Sequence, residues 1–376
     1  MYISFYSKRN PGKIVTLKSE IVTKKNKKYF EQLIHYFEYL YFEALVIISN
    51  GDIEKRYHTV YINKKDGTKR RIDEPDDVLK EYQRKLVDIF TNKLNLLFPS
   101  SVYGFVKGRN RIQMTEVHKS QYQIIKMDIK DFFPSCTLEW ILDSMAEVYP
   151  FCLVNRQMLE TILIPCVIKY NGLYRLPQGA PSSPILSNIG MIPIDYNIES
   201  ELNVLQYAYT RYADDMYISH GELFYERYMT AEEKLLCQIF GETPNISIEA
   251  KNSFIRKTSK DAINTVKKIL QLNPMFSLKD TKTKLFYTTY GNVKMLGISV
   301  GEKVEIGNKN KQTIKSMIWN FLCQTEKWDK KRTQQMLGVL ANARFIEPEF
   351  VTKYVYLYEV KTGKNFCDEV RKILCS

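Results

Sequence analysis

A chain of 376 residues exceeds one ordinary domain, so two or three lobes with substantial cores are expected. Apolar residues at 44% and aromatics at 13% exclude a disordered, collagen-like or low-complexity chain. No apolar run approaches the ~20 residues that a transmembrane helix needs.

Lys and Arg (55) outnumber Asp and Glu (42), a net charge of +13 that suits a polyanionic partner, because each cation that neutralises a phosphate releases condensed counterions. A solvated lysine-rich surface accounts for that charge about as well. The N-terminus shows neither the apolar stretch nor the cleavage site of a signal peptide. The seven cysteines (136, 152, 166, 237, 323, 367 and 375) are scattered without a Cys-x-x-Cys pair, which indicates neither a zinc site nor a disulfide framework.

In chain order, residues 8–28 come first and concentrate basic charge: Lys8, Arg9, Lys13, Lys18, Lys24, Lys25, Lys27 and Lys28 against the single acid Glu20. Tyr57–Ile62 alternates like a strand, Asp66-Gly67 signals a hairpin, and Lys69–Ile72 starts the return strand. From Leu79 to Phe98 the apolar positions step by three and four, which predicts an amphipathic helix. Tyr122–Met127 reads as a strand running into Asp128. Leu138–Val148 and Asn155–Cys166 read as helices, and Asn171-Gly172 marks another hairpin. A helix follows Pro184 to about Leu202; strands at Leu205–Tyr212 and Met216–Ser219 then flank Asp214-Asp215. Helices near 223–239 and 259–271 precede strands near 285–290 and 293–299. The last stretch reads as helical, with Met317, Phe321, Met336, Leu337, Leu340, Phe345, Tyr354 and Leu357 as core candidates. The mixture is α+β, followed by an all-helical end.

Three segments carry the chemistry. The first, Ile125-Lys-Met-Asp-Ile-Lys-Asp-Phe-Phe-Pro134, puts Asp128 at the end of an apolar strand. The others are Leu176-Pro-Gln-Gly-Ala-Pro-Ser-Ser-Pro184 and Tyr212-Ala-Asp-Asp-Met216. Adjacent carboxylates in a tight hairpin are costly unless a positive charge sits between them. With Asp128 they would form a cage of hard oxygens of the kind that holds Mg²⁺, and two such ions about 3.5–4 Å apart clamp the attacking and leaving oxygens of a phosphoryl transfer. Taken singly, Asp214-Asp215 is more often a solvated turn and Asp128 more often a helix cap.

In order and spacing these segments resemble the three central motifs of reverse transcriptases, nearest to the bacterial lineages: retrons, group II intron enzymes and phage-defence enzymes. The resemblance continues through Lys64-Lys-Asp-Gly-Thr-Lys-Arg-Arg71, Ser101-Val-Tyr-Gly-Phe-Val-Lys-Gly-Arg109, Asp280-Thr-Lys-Thr-Lys284 and Met295-Leu-Gly-Ile298, and so spans roughly 57–300. It implies a right-hand polymerase of fingers, palm with antiparallel sheet, and helical thumb. The implied boundaries are 1–121 for the N-terminal extension and fingers, 122–300 for the palm with a fingers segment at about 150–180, and 301–376 for the thumb.

By the same resemblance, the catalytic set is Asp128, Asp214, Asp215 and Lys282, and the metal ligands are Asp128, Ile129, Asp214 and Asp215. Two Mg²⁺ ions are implied, with Mn²⁺ as a substitute. Lys64 and Arg71 grip the triphosphate. Phe133 is the steric gate against a 2′-hydroxyl, and Ile129, Pro177, Gln178 and Gly179 line the nucleotide. Lys282 protonates the leaving pyrophosphate, a role for which Lys284 competes. Met295, Leu296 and Gly297 form the primer grip.

Some of these positions also admit plainer readings: a hairpin tip for Lys64 and Arg71, a core side chain for Phe133, and a helix-entry turn for Pro177–Gly179. Two departures argue against a standard retron. Met114-Thr-Glu-Val-His118 keeps only the His of an Asn-Ala-x-x-His element, and Met295-Leu-Gly297 stands where retrons show Val-Thr-Gly. A histidine such as His118 is more often packed or capping than catalytic.

The expected function is an RNA-directed DNA polymerase acting on a dedicated structured RNA in a retron-like anti-phage system. Its expected partners are that RNA template, the RNA–DNA duplex, dNTPs, and an effector or second defence protein. It is expected in the cytoplasm and not at a membrane. The alternatives are an RNA-dependent RNA polymerase, an idle RNA-binding assembly subunit and, more weakly, a metal-dependent nuclease.

Overall fold

The structure, a computed structural model, describes residues 3–6, 14–17, 24–64, 67–94, 96–221, 248–323 and 327–375, with side chains from residue 31 onward except at 248–256. In chain order the elements are β1 (Ile3–Tyr6), β2 (Ile14–Leu17), α1 (Lys24–Ser49), β3 (Tyr57–Asn63), β4 (Lys69–Pro75), α2 (Asp77–Asn92), α3 (Arg111–Val117), β5 (Gln123–Asp128), α4 (Phe132–Ser135), α5 (Leu138–Glu147) and α6 (Arg156–Leu163). They continue with β6 (Ile168–Tyr170), β7 (Leu173–Arg175), α7 (Ser183–Val204), β8 (Ala208–Tyr212), β9 (Asp215–His220), α8 (Ile248–Leu270) and β10 (Lys284–Tyr287). The last are β11 (Val293–Met295), β12 (Ile298–Val300), β13 (Val304–Glu305), α9 (Asn308–Cys323), α10 (Lys330–Ile346), α11 (Pro348–Thr362) and α12 (Phe366–Leu374). The chain divides into two compact units: Met1–Asn110 with Ile125–Leu285, and Arg111–Ile124 with Phe286–Ser376.

In the first unit, β3 and β4 pair antiparallel in the expected register, Val60 opposite Ile72 and Tyr61 opposite Arg71. Asp66 of the expected turn and the helix expected near 223–239 lie outside the described residues. Helix α2 is capped by Asp76, whose carboxylate accepts from Leu79 N at 2.8 Å, and it buries Leu79, Tyr82, Leu86, Ile89 and Phe90 on one face. It ends at Asn92 and not at Phe98. Beyond it, the Arg109 guanidinium takes the carbonyls of Phe98, Pro99 and Val102, so that stretch is organised around an arginine instead of a helical ladder.

Helix α1 has no counterpart among the sequence-read elements; it buries Leu33, Phe37, Leu40, Ala44 and Ile47. Helix α7 is apolar nearly all round, as a central core helix must be, and packs against α5 and α8. A four-stranded sheet runs in the order β10–β5–β9–β8, and the β8–β9 hairpin pairs Tyr212 with Asp215.

In the second unit, α9 to α12 enclose a core of Ile314, Ile318, Phe321, Leu322, Met336, Leu340, Phe350 and Phe366. Phe321, Met336 and Leu340 are buried as expected, with Met317, Leu337 and Tyr354 packed beside them. Phe345 (52% exposed) and Leu357 (37%) are not core residues. The core-facing positions on their helices are instead Met336, Leu340 and Ala343 in α10 and Phe350 and Val351 in α11. The strand expected over 293–299 is two strands, β11 and β12, paired antiparallel about Leu296 and Gly297, whose φ angles are +48° and +85°. Two successive positive φ values make a tight hairpin turn that a continuous strand cannot accommodate.

His118, at the end of α3, is fully buried, and burial lowers its imidazole pKa to about 3. The folded state therefore keeps it neutral while the unfolded chain takes up a proton below about 6.5. Stability should be unaffected above that pH and fall as pH drops, by up to ~1.4 kcal/mol per pH unit between 6.5 and 5. Urea denaturation at several pH values measures the slope, and His118→Leu should flatten it.

Candidate active site

Five segments of the first unit converge on a cleft of about 390 Å³: the β3–β4 hairpin, the end of β5 with α4, the β6–β7 hairpin with Leu176 and Gln178, the β8–β9 turn, and Lys279 with Lys282. Its lining includes Lys64, Arg71, Asp128, Ile129, Phe133, Gln178, Asp214 and Lys282. Lys284, the competitor of Lys282, begins β10 and is not part of that lining.

Backbone bonds fix the acidic floor. Ile129 N donates to Asp214 O at 3.0 Å, which ties the end of β5 to the β8–β9 turn, and Lys279 N donates to Asp128 O at 2.8 Å. Asp128 is 4% exposed, with its carboxylate Oδ2 at 2.6 Å from Lys282 Nζ. Asp214 lies in the turn, and burial first, then the charges of Asp215 and Asp128, push its carboxyl above the usual range; a backbone N–H and Lys282 oppose them. Asp215 does not line the cleft: its carboxylate is held at 2.5 Å by Lys126, which also lies 5.4 Å from the Tyr217 ring centre. Among the described residues no group of three or more His, Cys, Asp or Glu side chains is gathered as a ready metal site. The donor chemistry nevertheless fits a hard divalent cation, since the acids are oxygen ligands, burial and then mutual repulsion raise Asp214, and two lysines balance its neighbours.

Ala213, just before Asp214, has φ +56°, a left-handed conformation that costs a non-glycine residue about 1–3 kcal/mol. A buried ion pair supports it. Arg211 and Asp195, both 0% exposed, meet in a fork: Nε to Oδ1 at 2.8 Å and Nη2 to Oδ2 at 2.6 Å. Arg211 Nη1 then donates to Ala213 O and to Asn188 Oδ1, each at 3.1 Å, and Tyr209 donates to Asp195 at 2.8 Å. Asn188 Nδ2 reaches Gly104 O at 2.7 Å. A Cβ at Gly104 would stand 2.6 Å from Ala213 N, so only glycine allows this approach.

The opposite wall depends on two further residues. Arg175, 9% exposed, donates to Pro134 O at 2.6 Å and Tyr170 O at 3.2 Å and so braces the turn that carries Phe133. Asp73 N donates to Gln178 O at 2.7 Å, which joins the β3–β4 hairpin to the segment after β7. Pro177 is buried, with its carbonyl bonded to Ser183 Oγ at 2.7 Å. Gly179, at φ +118°, packs against Ile72 and Asp73. The primer-grip candidates Met295, Leu296 and Gly297 belong to the second unit, in the β11–β12 hairpin.

Arg211, Asp195, Asn188, Arg175, Asp73 and Lys126 were not singled out by the sequence. The signal available was a lone charge inside an apolar stretch, Arg211 in Ala208–Tyr212 and Asp195 between Ile185 and Ile198, which demands a buried partner. The described cysteines are free thiols, and burial pushes the Cys166 thiol up to about 12; Cys237 lies outside the described residues.

Residues 62–232 match the family described as "Reverse transcriptase (RNA-dependent DNA polymerase)". The chain thus carries a reverse transcriptase domain and is an RNA-directed DNA polymerase of the α+β right-hand fold. That assignment brings with it a general dependence on divalent metal, RNA as template and dNTPs as substrates.

The chain is 26% identical over 321 residues to the retron Ec73 reverse transcriptase of Escherichia coli, covering 82% of this chain and 90% of the relative. It is 24% identical to the retron Ec83 reverse transcriptase of the same organism, covering 81% of this chain and 86% of the relative. The Myxococcus xanthus retron Mx162 reverse transcriptase is 29% identical over 178 residues, 45% of this chain and 36% of that protein. Together these similarities support a retron-like bacterial reverse transcriptase. A telomerase structure from Candida albicans aligns at a TM-score of 0.38 and 10% identity, over 85% of this chain and 61% of that one, a likeness too slight to carry an argument. No helix among the described residues is long and apolar enough to cross a membrane.

The buried ion pair yields a stability prediction. Arg211→Met leaves the Asp195 carboxylate buried and uncompensated, and should cost about 3–5 kcal/mol. The shift in urea midpoint measures it, and Arg211→Met combined with Asp195→Leu should lose less than Arg211→Met alone.

Proposed function

We propose that the protein extends a primer hydroxyl with dNTPs while copying a dedicated structured RNA, using two Mg²⁺ ions at Asp128, Ile129, Asp214 and Asp215, with Mn²⁺ as a substitute. The observation that carries this reading is the meeting of Asp128 and Asp214 in one cleft with Phe133, Gln178 and Arg71, beside a backbone bond from Ile129 to Asp214. When bound, the ions would favour ionisation of the attacking hydroxyl and offset charge on the triphosphate.

The remaining roles fall to the chain itself. Lys64 and Arg71 hold the triphosphate, Arg as a fork and Lys as a point charge. Gln178, Pro177 and Gly179 shape the nucleotide side, and Phe133, braced through Arg175, excludes a 2′-hydroxyl. Lys282 gives a proton to the leaving pyrophosphate, and Met295, Leu296 and Gly297 grip the primer.

In functional terms, 1–121 is the N-terminal extension with fingers, 122–300 the palm with its fingers segment at about 150–180, and 301–376 the thumb. These names cut across the two compact units, which join 111–124 to 286–376. An anti-phage role with an effector or second defence protein and a cytoplasmic location complete the reading, and the likeness to retron reverse transcriptases supports its structured RNA partner.

Two substitutions test the chemistry. Asp214→Asn removes a ligand worth several kcal/mol of transition-state stabilisation, so dNTP incorporation should fall at least ~10³-fold. Because its ionised carboxylate is disfavoured in the fold, the same change should raise the melting temperature of the metal-free protein. Retained incorporation would remove Asp214 from the mechanism. Phe133→Val should raise ribonucleotide incorporation relative to deoxyribonucleotide in a competition assay, and an unchanged ratio would dismiss the gate.

A further inference from the structure

Arg71 enters the cleft already held on two sides. Its Nε donates to both carboxylate oxygens of Asp73, at 2.8 and 3.0 Å, and its guanidinium carbon lies 4.7 Å from the ring centre of Tyr170. Its Nη2 is 3.5 Å from Thr59 Oγ1, whose hydroxyl donates to Asp73 Oδ1 at 2.6 Å. Nη1 takes part in none of these bonds. Asp73 is 5% exposed and anchored through its own N–H to Gln178 O. Tyr170 comes from a separate hairpin, at the end of β6. Thr59 and Asp73 of its own hairpin and Tyr170 of a second one thus fix one guanidinium.

The structural arginine Arg211 is sealed off, at 0% exposure. The Arg71 side chain is 30% exposed and faces the same cleft as Asp128 and Phe133. Its partners do not use the whole fork. Asp73 takes the Nε edge, the tyrosine face holds the plane, and one nitrogen remains for a ligand. An unrestrained arginine loses much rotamer freedom on gripping a phosphate; one clamped beforehand loses little. Asp73 also lowers the net positive charge at the site, so its contribution to anion binding must come through orientation.

We propose that Asp73 and Tyr170 are positioning residues that hold Arg71 as a preformed ligand for the triphosphate of the incoming nucleotide and thereby set the KM for dNTPs. The proposal rests on the assignment of Arg71 as a triphosphate ligand.

The test is steady-state dTTP incorporation on poly(rA)·oligo(dT) by the full chain. Tyr170→Ala should raise the dTTP KM about 2- to 30-fold, the range of a cation–π contact, while kcat falls by less. Tyr170→Phe, which keeps the ring face, should retain the low KM, and Asp73→Asn should raise it. Primer–template affinity, read by fluorescence anisotropy, should stay at the wild-type value in each. In an Arg71→Ala background, Tyr170→Ala should add nothing, because both changes remove one interaction. Additive losses in that double variant, or equal losses in primer–template affinity, would overturn the proposal while leaving Arg71 as a phosphate ligand. A normal dTTP KM in Arg71→Ala itself would overturn the underlying assignment instead.

Discussion

The acidic floor of the cleft depends on a charge pair that never meets solvent. Arg211 and Asp195 are both fully buried, and their fork joins the strand before the Asp214 turn to the central helix α7. Burying two charges is unfavourable until every polar atom is matched. Here Tyr209, Asn188 and the carbonyl of Ala213 supply the matches. The bond to Ala213 is the one with consequence for the site. It holds a strained residue immediately before Asp214, so a net cost in the core is converted into a defined backbone where the carboxylates project. A hydrophobic replacement of the pair would fill the same space but could not donate to that carbonyl.

Once the backbone is fixed, electrostatics decide which carboxylate carries the strain. Asp128 and Asp215 each have a lysine at contact distance, Lys282 and Lys126 respectively. Among the described residues Asp214 has no such close cation, and burial together with its two neighbours raises its carboxyl pKa. The repulsion expected of crowded acids is therefore concentrated on the middle member. Lysines supply the charge that balances the outer two carboxylates. The lysine contacts at Asp128 and Asp215 are made between side chains, whereas Asp214 stands in a turn tied by its carbonyl to Ile129.

What the sequence made legible follows the range of the interactions involved. Hairpins written by local signals, Tyr57–Asn63 with Lys69–Pro75 and Ile168–Tyr170 with Leu173–Arg175, form in the expected places. The three motif segments meet in one cleft, apart from the Asp215 side chain. Long-range polar matches were not legible: nothing near Arg211 in the sequence points to Asp195, and nothing near Arg175 points to the carbonyl of Pro134. The same limit explains Phe98, where Arg109 overrides an apolar period that suits a helix. Phe345 and Leu357 have core-type side chains, but the packing of α10 and α11 turns other faces inward. Helix α1 was missed although its buried residues step by three and four, because bulky apolar residues such as Ile34, Phe42 and Val46 also occupy its exposed face and blur the period.

The bland and the functional readings of Pro177–Gly179 turn out to be compatible. The segment does serve as a helix entry, with the carbonyl of Pro177 bonded to Ser183 at the start of α7. It is also the seam between two walls of the cleft. A Cβ on Gly179 would stand 2.9 Å from Ile72 Cγ2 and 3.1 Å from Asp73 O, and the residue sits at φ +118°, where side chains are rarely tolerated. A larger residue would press on the β3–β4 hairpin beside the bond from Asp73 N to Gln178 O. Movement of that hairpin would carry Arg71 and Lys64 with it, because both belong to it. A turn required for local folding thus sets the width of the cleft, and the spacing between the acidic floor and the basic wall is a consequence of backbone packing more than of the charged residues themselves.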